Sequence, residues 1–161
     1  GIYYIPKKTM LKATVGPSAD MVARYRFVTK GEEIFGYYSG NSFANQLGIS
    51  MQVPRKIEIV SNNSNSSPRE IEIGGRKFLI RKSSIVINRE NVYVLQLLEL
   101  LKNIEVYMDG SYDEARVKIE EYIDIHDIRK ESVNRYIREF PINVFKNYYE
   151  LGLDNVFAQR K

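Results

Sequence analysis

The sequence predicts an α+β fold, in which a small, mostly antiparallel sheet is followed by a C-terminal helical bundle. Apolar and charged residues alternate in KIEIV from Lys56 and in EIEI from Glu70, which is the period of a half-buried strand. Beyond residue 90, apolar residues recur at three- and four-residue spacing, which is typical of helices. Because strands and helices occupy separate halves of the chain, the pattern favours an α+β arrangement.

The first half is predicted to hold two short helices and the strands of the sheet. Residues 7–17 have no sustained period and are interpreted as a connector. Ser18 can cap a first helix that Gly31 ends, and a turn and strand follow over residues 32–38. Residues 61–67, SNNSNSS, contain no apolar residue and predict a mobile, exposed loop. The apolar residues that recur in the first helix are Met21, Val22, Tyr25 and Val28.

The glycine pair at residues 74–75 predicts a tight turn between two paired strands. A two-residue type I′ loop at this point places Glu72 opposite Lys77 and Ile71 opposite Phe78. This register gives one face of the hairpin a charge pair and the other face an apolar pair, so it agrees with the alternation.

The second half predicts four helices. The segment NVYVLQLLELL from Asn91 is apolar on more than one face, which indicates a central, buried helix. Ser111 and Glu114 form a capping-box pattern ahead of a second helix, a third spans residues 130–140, and a fourth starts with Pro141 in its first turn and stops at Gly152. The residues expected to face inward on the last three helices are Val117, Ile119, Tyr122, Ile123, Val133, Tyr136, Ile137, Phe140, Val144, Phe145, Tyr148 and Leu151.

Composition limits the classes of protein that fit. With 161 residues and 43% hydrophobic content, the chain is long enough for one domain with its own core. It has no cysteine, which excludes disulfides, thiolate metal sites and cysteine nucleophiles. No apolar run is long enough for a membrane span and no leader opens the sequence, so a cytoplasmic protein without membrane contact is expected.

Charge is distributed unevenly along the chain. Residues 1–90 hold 14 basic and 7 acidic side chains, whereas residues 91–161 hold 10 basic and 13 acidic ones. The first half is therefore net positive and the second half net negative. A basic half can lie along phosphate groups, while the acidic half is repelled by them. Surface solvation alone also produces such imbalances.

The segment SGNSFANQLGISMQVP, from Ser39 to Pro54, is dense in turn and cap signals. Ser39 or Asn41 can supply an N-cap oxygen, and Gly48 a left-handed stop, so a short helix between two extended segments is predicted. The amides within it can either tie a turn to neighbouring backbone or reach a partner.

This segment resembles the AbiEi-type antitoxin family of type IV toxin–antitoxin, or abortive infection, systems. The resemblance continues through REIEIGGRKFLIRK, Arg69 to Lys82, and it covers about the first half of the chain; Met51 departs from the family pattern, in which threonine is expected. The family pattern residues are Ser39, Gly40, Asn45, Leu47, Gly48, Gln52, Val53 and Pro54, and structural roles are expected for them.

The resemblance also implies a domain organisation and a function. Residues 1–9 are expected to be the remnant of an upstream winged-helix wing or its linking strand, although Gly1 could instead derive from a tag. Residues 10–161 are expected to form the antitoxin domain, with an α/β part over 10–90 and a helical part over 91–161. The implied function is that of a phage-defence antitoxin and transcriptional regulator without enzymatic activity or cofactor. The resemblance implies that such a protein represses its operon through the upstream winged helix and counters a nucleotidyltransferase toxin, directly or indirectly.

Basic residues near the strands are candidates for contact with operator DNA, because wings and β-ribbons contact backbone phosphate through such side chains. Lysine and arginine on strand edges also discourage aggregation, which is the structural alternative. The DNA-binding candidates are Lys7, Lys8, Arg55, Lys56, Arg76, Lys77, Arg81 and Lys82.

The alternative function is a magnesium-dependent nucleic-acid or nucleotide-processing enzyme that uses helix-borne carboxylates. A solvated acidic helix face is the structural alternative, and the single histidine, His126, is interpreted as a helix-end residue whose cation the helix dipole favours. No catalytic residue and no metal ligand is assigned. The carboxylates that motivate the enzyme hypothesis are Asp109, Asp113, Glu114, Glu120, Glu121, Asp124 and Asp127.

Overall fold

The computed structural model describes residue 3, residues 7–8 and residues 14–160. Its first elements are two short strands, β1 (Lys7–Lys8) and β2 (Thr14–Val15), which pair antiparallel within the segment predicted to be a connector. The predicted opening strand, and with it most of the proposed winged-helix remnant at residues 1–9, lies outside the described residues.

A helix and a small hairpin follow. The Ser18 hydroxyl accepts a hydrogen bond from the Met21 N–H and caps α1 (Ala19–Phe27), as predicted. The helix buries Ala23 and Phe27, whereas Met21, one of the residues at the predicted apolar spacing, is 52% exposed. After α1, the strands β3 (Thr29–Lys30) and β4 (Glu33–Ile34) pair across a turn.

Four strands form the main sheet, in the order β5-β6-β8-β7. The two outer pairs are antiparallel, but the central pair, β6 and β8, is parallel, which sequence patterns did not predict. This pairing arises because the chain leaves β6, crosses to the far edge to form β7, and returns through the hairpin into β8. The strands are β5 (Gly36–Ser39), β6 (Lys56–Ser61), β7 (Arg69–Ile73) and β8 (Arg76–Lys82).

The β7–β8 hairpin has the predicted register. Glu72 lies opposite Lys77 and Ile71 opposite Phe78, and both glycines of the 74–75 turn have positive φ. The loop before β7 differs from expectation at its start, because Ser61 is fully buried in β6.

Between β5 and β6 the chain forms the predicted short helix, α2 (Gly40–Gln46). Ser39 occupies the N-cap position, but its side chain makes no capping hydrogen bond. The left-handed stop at Gly48 is confirmed by its φ of +77°.

The second half is helical, as predicted. The central helix α3 is buried along nearly its whole length, and the capping box of Ser111 and Glu114 forms both of its hydrogen bonds at the start of α5. Val117 was expected to face inward but is 52% exposed, and two short helices, α4 and α8, were not predicted. The helices are α3 (Val92–Leu101), α4 (Ile104–Tyr107), α5 (Tyr112–Ile125), α6 (Lys130–Tyr136), α7 (Ile142–Glu150) and α8 (Leu153–Ala158), and a 3₁₀ turn (Ile137–Glu139) follows α6.

Candidate functional site

Different helices pack on the two faces of the main sheet. Alternate residues of a strand point to opposite faces. Ile59 and Ile80 therefore share the face that α1 covers. Tyr37 and Val60 lie on the opposite face, where they contact Leu95 of α3. We refer to these surfaces as the α1 face and the bundle face.

The basic residues predicted to contact DNA are divided between these two faces. Strand alternation places Lys56, Lys77 and Arg81 on the bundle face, and it places Arg76 and Lys82 on the α1 face. The predicted set therefore does not form one continuous surface.

The remaining candidates lie outside the sheet. Arg55 is exposed and directly precedes β6. Lys7 and Lys8 form β1, and their side chains lie outside the described part of the chain. Contact between these residues and DNA stays a prediction.

Several of the predicted cations have carboxylate neighbours. The ammonium group of Lys56 lies 2.5 Å from Glu70, and that of Lys77 lies 3.8 Å from the same side chain. The hydrogen bond from Lys56 lowers the pKa of the Glu70 carboxyl. On the other face, Arg76 lies 2.9 Å from Asp20. These exposed pairs add little stability, but they reduce the positive charge available to a polyanion.

Arg81 belongs to a half-buried cluster of charges between the sheet and α3. Its guanidinium lies 2.9 Å from Glu99 and 3.7 Å from Glu58, and it donates a hydrogen bond to the Ser39 hydroxyl at 3.1 Å. The Lys102 ammonium lies 3.2 Å from the same Glu99 oxygen. We define Glu58, Arg81, Glu99 and Lys102 as the charged cluster. It balances two cations with two carboxylates.

Burial shifts the pKa of one group in this cluster and of one group beside it. Burial raises the pKa of Glu58, and the nearby Arg81 opposes that rise. Burial also raises the pKa of Tyr37, whose ring lies beside the cluster. A small cavity of about 110 Å³ borders Arg81, Glu99 and Lys102. The arrangement connects β6 and β8 to α3, and it holds the cation of Arg81 within the fold.

The family pattern residues form the junction between the sheet and α2. Gly40 has a φ of +59°, and a Cβ atom at this position would lie 2.4 Å from the Glu58 carboxylate. The Asn45 amide donates to the Ser50 carbonyl at 3.0 Å and closes the turn after α2. Ser42, which lies between them, accepts a hydrogen bond from the Glu58 N–H at 3.0 Å. Backbone geometry therefore explains why glycine and small polar residues occur here.

The end of the same segment has a different character. Leu47 contacts the bundle core, and Pro54 is half-buried, whereas Gln52 and Val53 are exposed. The Met51 N–H donates to the Asp109 carboxylate at 2.5 Å. This backbone contact connects the loop to the bundle without the threonine hydroxyl that the resemblance led us to expect at this position.

The carboxylates of the enzyme hypothesis contact nearby cations and backbone groups and do not converge on one point. Asp113 and Glu120 both lie near Arg116, at 2.8 and 3.7 Å. Asp124 pairs with Arg160. Within the described part of the chain, no three histidine, cysteine, aspartate or glutamate side chains come together as a metal site would require.

His126 lies at the C-cap of α5, as predicted, and its ring stacks on Tyr93 with the ring centroids 3.7 Å apart. Partial burial lowers the pKa of its imidazole, which opposes the stabilisation of the cation that the helix dipole was expected to give.

A lowered histidine pKa predicts a loss of stability in acid. The unfolded chain binds the proton more readily than the folded one, so the free energy of unfolding should fall as the pH drops through about 6.5, the ordinary pKa of histidine. His126→Phe keeps an aromatic ring for the stack but cannot titrate. Urea unfolding of both proteins between pH 7.5 and 5.0 should show a smaller loss in the variant, and equal losses would contradict this assignment.

Three cations cluster at one end of the α1 face, and two of them were not predicted. The guanidinium carbons of Arg26 and Arg69 lie 5.0 and 5.9 Å from the ring centroid of Phe27. Lys82 lies on the same face of the adjacent strand, diagonal to Arg69, which is paired with Ile80. We define Arg26, Arg69 and Lys82 as the three-cation surface.

Among the residues that the structure describes, no helix has the length and apolar character needed to cross a membrane. Comparison with curated proteins gave no significant match, and comparison with solved structures gave none either. The sequence model of one protein family matches residues 1–129, well over half of the chain. The chain therefore belongs to this family, which is described as a family of unknown function, DUF6088.

Proposed function

We propose that this chain is part of a non-enzymatic antitoxin and transcriptional autoregulator, which counters a nucleotidyltransferase toxin. The observation that carries the proposal is the segment Ser39 to Pro54, whose residues resemble the AbiEi-type antitoxin pattern. The structure supports it by giving that pattern a physical basis. Gly40 makes room for Glu58, Asn45 closes a turn, and Gly48 ends the helix in the left-handed conformation.

The distribution of charge also supports a protein that contacts DNA on one side and a protein partner on another. The three-cation surface lies on the α1 face, away from the helical bundle. The bundle belongs to the half of the chain with excess acidic residues. Phosphate attracts the first surface and repels the second half, so an operator-bound protein would direct its bundle away from DNA.

The contacts of the candidate carboxylates support the enzyme hypothesis less well than the antitoxin proposal. Asp113 and Glu120 share Arg116, and Asp109 holds the Met51 backbone. Each of these contacts has a structural use, so the proposal assigns no catalytic role to them.

A growth-rescue experiment tests the proposal. The proposal expects a nucleotidyltransferase toxin to be encoded beside this chain. That toxin is expressed in cells, with and without the chain, and an inactive toxin variant serves as the growth control. The proposal expects the folded chain to restore growth. A folded, well-expressed chain that gives no rescue would count against the antitoxin function, and co-purification with the toxin would show whether neutralisation is direct.

The same experiment separates the antitoxin from the enzyme. Asp113→Asn combined with Glu120→Gln removes two of the candidate carboxylates but keeps their size, and a non-enzymatic antitoxin should rescue growth as well as the unchanged chain. If the double variant folds but no longer rescues, catalysis by these carboxylates becomes the better explanation.

A further inference from the structure

We propose that the three-cation surface of Arg26, Arg69 and Lys82 is a contact site for the phosphate backbone of duplex DNA, in addition to any upstream DNA-binding domain. Three neighbouring cations favour a ligand with several negative charges. The choice of duplex DNA among such ligands rests on the proposed function. The site was not among the sequence predictions, apart from Lys82.

Contact with the Phe27 ring restricts the side chains of Arg26 and Arg69 before any phosphate binds. Both guanidinium groups lie within cation–π distance of the Phe27 ring, which is only 2% exposed and therefore fixed in the core. Their distances from the ring limit the separation of the two guanidinium carbons to 10.9 Å. Stacked guanidinium groups lose less side-chain entropy on binding, and arginine recognises phosphate through paired N–H donors.

These cations also differ from the other basic residues of the sheet. Lys56, Lys77 and Arg76 have carboxylates within 4.0 Å, and Arg81 lies between two of them. Within the described ranges, no carboxylate comes within that distance of any member of the three-cation surface, and all three side chains are exposed. Their charge is therefore available to an external anion.

A polar loop lies next to the surface. The Asn63 amide donates to the Arg26 carbonyl at 3.4 Å, which places the start of the loop beside the end of α1. Ser66 and Ser67 follow and are exposed just before Arg69. Serine hydroxyls and asparagine amides commonly donate hydrogen bonds to DNA phosphates, so the loop extends the same contact chemistry.

Fluorescence anisotropy with a labelled 20-base-pair duplex of arbitrary sequence tests the proposal on this chain. The variant Arg26→Gln with Arg69→Gln removes two charges from the surface. Arg135→Gln with Arg138→Gln, at exposed positions in and after α6, removes the same charge from the bundle and is the matched control. Binding is measured over a series of salt concentrations, and thermal unfolding of each variant verifies its fold.

The expected result is specific to the first variant. Loss of two phosphate contacts should reduce the slope of log affinity against log salt by about 1.8 and should weaken binding about tenfold or more at low salt. The control variant should keep the slope of the unchanged chain. Arg26→Lys with Arg69→Lys retains the charge and should keep most of the slope.

Three outcomes would overturn the proposal: no binding of the duplex by the unchanged chain, equal losses in the glutamine variant and the bundle control, or tighter binding of an RNA duplex of the same length. Each is distinguishable from failure of the proposed function, because growth rescue reports toxin neutralisation and does not depend on this duplex.

Discussion

Gly36→Ala is expected to destabilise the protein by about 3 kcal/mol or more, which is the upper end of the cost of overpacking. Gly36 begins β5, where its backbone crosses the end of α1. A Cβ atom here would lie 1.9 Å from the Phe27 carbonyl oxygen and 2.9 Å from the Val60 carbonyl oxygen. Both obstacles are backbone atoms, so no side-chain rotation relieves the clash. Either α1 or β5 must move.

Displacement of α1 or β5 would also disturb the core packing and a backbone hydrogen bond between them. Phe27 is part of the core between α1 and the sheet, together with Ala23 and Ile59. The Gly36 N–H also donates to the Val28 carbonyl at 3.1 Å, and this hydrogen bond depends on the same close approach. Displacing α1 would open that core and would carry Arg26 away from Arg69, so duplex binding should weaken as well.

Gly16→Ala is the matched control. Gly16 is followed by Pro17 ahead of α1, and a Cβ atom there would meet no atom within 4 Å. Its effect should lie within about 0.5 kcal/mol of zero. Urea unfolding followed by circular dichroism measures both variants, and similar midpoints for the two would contradict the close backbone contact at Gly36.

Local sequence patterns predicted the elements that depend on neighbouring residues. The turn at residues 74–75 sets the register of Ile71 and Phe78, because a two-residue hairpin loop leaves few alternatives. The capping box of Ser111 and Glu114 formed as predicted for the same reason, since both hydrogen bonds span only three residues.

Features that depend on contacts between distant segments were not predictable in this way. The parallel pair β6–β8 forms because β7 takes the edge position, and nothing within either strand specifies that choice. Gly36 resembles any strand glycine in the sequence. Its need for glycine comes from the carbonyl of Phe27, which only the packing of α1 brings into contact with it.

In the candidate site, too, local patterns predicted some features, whereas contacts between distant segments determined the others. Alternation correctly assigns Lys77 and Arg81 to one face of β8, but it does not reveal that Glu99 of α3 covers only the second of them. Arg26 and Arg69 were overlooked because their common neighbour, Phe27, connects a helix end to a strand start through tertiary packing. The cations on the α1 face, Arg26 and Arg69, are therefore available for contact with a ligand, whereas Arg81, which α3 covers, forms a structural ion pair with Glu99.

Arg81→Met is expected to destabilise the protein by about 2 kcal/mol, although the sequence presents Arg81 as one of several surface cations. Removing the guanidinium leaves Glu99, whose side chain is only 10% exposed, with Lys102 as its remaining cationic neighbour in the cluster. A buried carboxylate that loses a partner keeps its desolvation penalty, which is the main cost. Lys102 still lies 3.2 Å from Glu99, so the loss should fall below that of a fully isolated charge.

A double-mutant cycle with Glu99→Met separates this explanation from a loss of packing. If the cost comes from the unpaired carboxylate, the double variant should be more stable than the sum of the single losses predicts, by about 1 kcal/mol or more. Additive losses would indicate that the methylene groups of Arg81, and not its charge, stabilise the junction. The duplex experiment gives an independent test. Because Glu58 and Glu99 already hold the guanidinium, Arg81→Met should leave the salt slope unchanged, whereas a decrease of about 0.9 would show that Arg81 contacts phosphate.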